Sequence, residues 1–260
     1  MTARPSEKTD KPDIGQDQGP ALQISQDGSI RRLTLNRPDK LNALNPAVFV
    51  EFRAHLDAIA DDDTVGCVIV TGAGRSFCAG HDLGAIATNE HAPSKHFEPE
   101  TVDALEQLPQ PTIAKIRGHC FTGGLEFALA CDFLIAAEST QFGDTHGQWG
   151  LVPVWGMTRR LPERVGRSTA KELMFTSRRI TGNEAERIKL VDHAVADGEL
   201  DSFVEAFATE ICANSWDTNR FVKQLIAGGD ERSRTEALLW EREMPFGSPR
   251  DMKERMNKGR

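Results

Sequence analysis

Residues 119–132 read HCFTGGLEFALACD, and Glu126 is the group in them most able to do chemistry. A helix that begins at Gly123-Gly124 presents backbone N–H groups with no intrahelical partner, and its dipole adds partial positive charge. With no Cβ on either glycine, another molecule can approach that backbone closely. Such a terminus suits an oxyanion: a phosphate, or a carbonyl oxygen that gains charge during reaction. Glu126 follows Gly123 closely enough to stay beside the terminus. One reading is a cap, since a first-turn glutamate is favourable and Thr122, Leu125 and Glu126 loosely resemble a capping arrangement. The other is an acid–base group: apolar neighbours half-bury the carboxylate and raise its pKa toward neutrality. Residue types alone do not separate the two.

Two further stretches carry chemistry-bearing side chains. In RSFCAGHDLGAI (75–86) the Ala79-Gly80 turn could aim the N–H groups of His81 and Asp82 outward, or Asp82 could simply cap the next helix. In QFGDTHGQWGLVPVWG (141–156) four glycines, a proline and two tryptophans predict a structured loop whose titratable groups are Asp144 and His146. A histidine there suits proton transfer, although a loop histidine more often only hydrogen-bonds. Trp149 and Trp155 could line a pocket or pack in the core.

The elements that must position these groups alternate. ALQIS and IRRLTLNRP predict two strands joined by the turn QDGS. NPAVFVEFRAHLDAIA predicts a helix with Asn45 as N-cap, Pro46 in the first turn, and Phe49, Phe52, Leu56 and Ile59 on one face. CVIVTG (67–72) is apolar throughout, as a strand buried on both faces should be. Residues 84–100 are mixed and polar and predict a mobile loop containing His91 and His96. ETVDALEQL is a helix, TIAKIRG a strand, Gly123 to about Cys131 a helix, and DFLIAA a strand. That order implies a largely parallel sheet covered by helices. From residue 156 onward the pattern is helical, giving an expected tail (1–20), a core (21–195) and a helical C-terminal region (196–260).

Composition sets limits. The 260 residues suit one sizeable domain, with 39% hydrophobic and 27% charged residues. The net charge of −8 argues against a nucleic-acid partner or an anionic membrane surface. No apolar run approaches the ~18 residues of a membrane helix. Five cysteines show no CxxC spacing, four of them in apolar strings that read as reduced core residues, and the N-terminus lacks a hydrophobic signal region. The expected location is therefore cytoplasmic, and no metal site is expected.

Taken in order, the stretches resemble the crotonase superfamily, the enoyl-CoA hydratase/isomerase family. The matching segments are LNRPDKLNALN (35–45), VIVTGAGRSFCAGHDL (68–83), KIRGHCFTGGLEFALACDFLIAAESTQFG (115–143), GLVPVWGMTRRLPERVG (150–166) and FTSRRITGNEAERIKLVDHAV (175–195). The resemblance implies an α/β fold, a crotonase-like spiral of ββα units with a helical C-terminal region used in trimerisation, as a homotrimer or a hexamer of two trimers. It implies an acyl-CoA substrate, no cofactor beyond the CoA moiety, and a thioester oxygen held by the backbone N–H groups of His81 and Gly123. The adenine pocket falls on Lys40, Leu41, Ala43, Ala79, Asp82 and Leu83.

Family hydratases hold one water between two glutamates. The first matches Glu126; the second position carries His146, and this departure shapes the functional expectation. A Glu/His pair can still supply a base for water and a proton for Cα, so the leading expectation is a hydratase-type lyase acting on 2-enoyl-CoA thioesters. Isomerisation, decarboxylation or thioester hydrolysis through the same oxyanion hole, or a catalytically impaired acyl-CoA binder, are the alternatives. Near the C-terminus, Phe246, Lys253, Arg255 and Lys258 could approach a CoA phosphate or simply end a solvated helix.

Overall fold

The computed structural model describes residues 19–88 and 90–258, so most of the expected N-terminal tail lies outside the described residues. The chain opens with a hairpin of β1 (Leu22–Asp27) and β2 (Ile30–Leu35). Helix α1 (Pro46–Ala60) follows as its cap predicts, the Asn45 side chain accepting from Val48 N at 3.1 Å. It buries Phe49, Phe52, Leu56 and Ile59, each contributing roughly 1.5–3 kcal/mol. Strand β3 (Cys67–Gly72) leads into α2 (Leu83–Ala87) and α3 (Phe97–Glu106).

The two ends of the 84–100 stretch are thus more helical than its composition suggests. Asp82 Oδ1 accepts from Gly84 N at 2.9 Å and starts α2, and α3 begins before Pro99 because a proline is tolerated in a first turn. Next come β4 (Thr112–Ile116), β5 (His119–Phe121), α4 (Gly123–Leu129), β6 (Phe133–Ala137), β7 (Gln141–Gly143) and α5 (His146–Trp149). The region expected to be helical after residue 156 contains α6 (Met157–Val165), α7 (Arg167–Thr176), β8 (Ile180–Thr181), α8 (Gly182–Arg187), β9 (His193–Val195), α9 (Leu200–Ala213), α10 (Trp216–Asp230), α11 (Arg234–Arg242) and α12 (Met252–Lys258). Its two strands are too short for any periodicity to declare them.

The main sheet has the order β1-β2-β3-β4-β6-β9 and is parallel from β2 onward. A second sheet, β5-β7-β8, stands beside it. Successive turns of chain place one strand in each sheet and then a helix, as β4-β5-α4 and β6-β7-α5 do: a spiral of ββα units. The bridges Cys78–Cys120 and Leu44–His81 carry β-type pairing out from β5 toward the loop after β2. One face of the main sheet packs under α1 and α4. The other is covered by α9, whose Leu200, Val204 and Ala208 meet Ile69, Ile113 and Ile135. All five cysteines are free thiols, and four of them are buried. Among the described residues no helix is long and apolar enough to cross a membrane.

Candidate active site

The start of α4 is shaped by a backbone that only outside contacts can hold. Thr122 has φ 52° and ψ −116°, an unfavourable region for a β-branched residue. Its N–H donates to Gly143 O at 2.9 Å, and its hydroxyl meets that of Thr145 at 2.5 Å. These contacts fasten α4 to the turn that carries Asp144 and His146. Gly123 and Gly124 are required by crowding. A Cβ on Gly124 would lie 2.4 Å from Cys78 O, and one on Gly123 would lie 2.4 Å from the Trp155 ring.

The same Gly123 position is 3.3 Å from His81 N, so two amide-bearing backbones from separate loops lie side by side. Their hydrogen bonding explains what is left over. Leu44 N donates to Gly80 O at 2.8 Å and Asp82 N donates to Leu44 O at 2.7 Å. In extended backbone the intervening residue faces the other way, which turns the His81 N–H away from Leu44. Among the described residues neither the His81 nor the Gly123 amide donates to a protein acceptor.

Glu126 is 1% exposed, more deeply buried than its neighbours in sequence suggest. Its Oε1 accepts from Trp155 N at 2.9 Å and Met157 N at 3.1 Å. Burial raises its pKa; those two amides and the nearby His146 pull the other way without cancelling the shift. With Oε1 occupied, Oε2 is the reactive tip. It lies 3.6 Å from His146 Nε2, too far for a direct hydrogen bond. An oxygen bonded to both tips must sit off the line joining them.

His146 is fixed from its other side. Its Nδ1 is 2.5 Å from Asp144 Oδ1, and its backbone N–H donates to that oxygen at 3.2 Å. In the tautomer in which Nδ1 donates to that oxygen, Nε2 is the acceptor that faces Glu126. Asp144 is 1% exposed, so the three groups form one buried line, Asp144–His146–Glu126. Asp144 was visible in sequence, but only the Thr145 turn decides that the two side chains converge.

The positions tied by resemblance to an adenine pocket also come together. Leu41 O accepts from Ala79 N at 3.0 Å, and Arg37 bridges Ala43 O and the Asp82 carboxylate, the latter at 2.8 Å. Asn42, buried with φ 56°, accepts from Arg37 N and donates to Ala73 O and Ser76 O. Lys40, Leu41 and Ala43 thus run beside Ala79, Asp82 and Leu83. Trp149 is largely exposed, whereas Trp155 is buried over Gly123. Near the C-terminus, Arg255 pairs with Asp251 just before α12 and Lys258 with Glu254 within it, and Phe246 packs on Phe221 and Trp240. Among the described residues no cluster of side chains could hold a metal ion.

Glu98 is the group that sequence reading missed. It sits in the first turn of α3, with Oε1 3.8 Å from His81 Nε2, and burial raises its pKa. Its only signal was the tolerance of Pro99 in a first turn, which extends α3 back to Phe97.

A spiral of ββα units with an unpaired amide couple beside a buried glutamate defines the crotonase fold class. The chain belongs to the enoyl-CoA hydratase/isomerase family, whose model matches residues 25–259. It is an enzyme of that family. The short-chain-enoyl-CoA hydratase of Clostridium acetobutylicum is 35% identical over 240 residues, covering 90% of this chain and 92% of that one. Among solved structures, an enoyl-CoA hydratase from Bacillus anthracis is 34% identical with a TM-score of 0.81, covering 86% of this chain and 89% of its own. A Thermobifida fusca protein solved in complex with CoA is 30% identical with a TM-score of 0.79, covering 85% and 90%.

Proposed function

We propose that this chain is a hydratase-type lyase that adds water across the 2,3 double bond of an acyl-CoA thioester. One observation carries the reading: Glu126 Oε2 and His146 Nε2 stand 3.6 Å apart beside the adjacent amides of His81 and Gly123. Two acceptors facing each other need one proton between them. Burial favours that proton on Glu126, with the Asp144-held Nε2 as base.

In this scheme the thioester oxygen accepts from His81 and Gly123, and water bonds to C3 as Nε2 takes its proton. The π electrons move onto the thioester oxygen, where the two amides stabilise the enolate. Collapse of the enolate takes the Glu126 proton at C2. The proton on Nε2 then returns to Oε2, so one H and one OH are added and the pair is reset.

CoA as the carrier is supported by the structural relative that holds it and by the paired 40–43 and 79–83 segments. A homotrimer, or a hexamer of two trimers, is supported by the family and by the exposed Val222, Ile226, Leu238 and Leu239 on α10 and α11. Light scattering at several concentrations measures this directly.

The decisive assay follows enoyl absorbance with crotonyl-CoA and longer 2-enoyl thioesters. Wild type should turn them over, and His146→Ala should lose about 100-fold. A protein that shifts 3-enoyl thioesters but hydrates no 2-enoyl thioester would replace this reading with an isomerase.

A further inference from the structure

The loops that bring main-chain amides to the proposed active site send their side chains to a different place. His81 contributes its N–H beside Gly123, but its ring turns toward α3 and puts Nε2 3.8 Å from Glu98 Oε1. Trp155 gives its backbone N–H to Glu126 while its indole lies across Gly123 and packs on the His81 ring, 5.0 Å between centroids. Burial raises the Glu98 pKa, and the nearby indole Nε1–H only partly opposes it, without hydrogen-bond geometry. Trp155 is 3% exposed, so this is a buried N–H with no partner among the described residues. Leaving such a donor unpaired costs on the order of 1–3 kcal/mol.

The supports of this cluster are rigid. Arg160, itself buried, donates to Trp155 O at 2.7 Å and to Asp103 and Glu106 of α3, both at 2.6 Å. It therefore ties the helix that carries Glu98 to the loop that carries Trp155. Glu98 is held against the site rather than swinging on a surface segment.

We propose that Glu98, the His81 imidazole and the Trp155 indole N–H form a second polar station, which binds a hydroxyl group on the acyl portion of the ligand. This rests on the acyl-CoA reading of the neighbouring site. The choice of hydroxyl follows from the donor set. Trp155 can only donate, Glu98 in its charged form can only accept, and His81 can do either. A hydroxyl accepts from the indole and donates to Glu98 or His81 at once. A plain methylene leaves the indole N–H unpaired, and a carboxylate meets the negative charge of Glu98.

The test is calorimetric binding of saturated, unreactive acyl-CoA thioesters to the intact protein. An unsubstituted chain is compared with a series whose hydroxyl moves outward from C4, and with an ω-carboxylate. At least one hydroxyl position should bind roughly tenfold tighter than the parent chain, the scale of one hydrogen bond to a charged group. The carboxylate should bind more weakly than the parent. In Glu98→Ala the hydroxyl preference should fall below about threefold, with Glu98→Gln intermediate, both checked for native melting. If the parent chain binds but no hydroxyl position gains, the station is wrong and the hydratase reading stands. If no acyl-CoA binds at all, both fail together.

Discussion

One imidazole joins two buried carboxyl groups: His146 holds Asp144 Oδ1 at 2.5 Å through Nδ1 and faces Glu126 Oε2 at 3.6 Å through Nε2. The ring's orientation is set by Asp144, which needs no contact with substrate to matter. Asp144→Asn keeps the shape but can donate an amide N–H to Nδ1, moving the ring proton to Nε2. Turnover of 2-enoyl-CoA should fall by about 100-fold with KM nearly unchanged, the signature of a positioning residue. A KM rise without loss of kcat would contradict it.

Glu126→Gln should separate activity from stability. The amide keeps a carbonyl oxygen for Trp155 N and Met157 N but cannot cycle a proton, so activity should drop at least ~100-fold. Burial makes folded Glu126 bind its proton more tightly than the unfolded chain does. Its contribution to stability is therefore complete below the ordinary glutamate value of 4.5 and is lost as pH rises through the raised one. The melting temperature of the variant relative to wild type should climb from pH 4.5 to pH 8. A difference that shrinks over that range refutes the account.

The two glycines at the start of α4 should fail differently. Alanine at Gly123 meets the Trp155 ring, a side chain that can yield by turning away. Gly123→Ala should fold with a loss of about 1–3 kcal/mol and lose most activity. Alanine at Gly124 meets the Cys78 carbonyl, which cannot move without the whole loop. Gly124→Ala should be the less stable of the two in urea unfolding.

Asn42→Ala should be among the most damaging changes away from the reacting groups. It strips three hydrogen bonds from the junction of the 37–44 and 73–76 segments and leaves buried groups unpaired. A cost of roughly 2–4 kcal/mol is expected from chemical denaturation, with weakened CoA binding alongside.

What could be read in the sequence was local. Asn45 with Pro46 announces α1, Gly123-Gly124 announces α4, and the apolar run at 67–72 announces β3, because each signal lies within a few residues of the element it specifies. The strands β5, β7 and β9 have three residues each, too few to show a period, and exist because of what they pair with. Glu126 and His146 were singled out by their match to the family's two glutamate positions, whereas their separation depends on the contact between Thr122 and Thr145. Glu98 was passed over because a proline beside it reads as a break.

The helix that carries Glu126 does not decide how strong an acid it is. Both N–H donors on its carboxyl come from a stretch 29 and 31 residues downstream. Were that stretch to lift away, ionisation would become harder and the side chain would keep its proton to higher pH. Proton affinity at the heart of the molecule is thus adjustable by remote control, through the posture of a segment far along the chain from the acid it tunes.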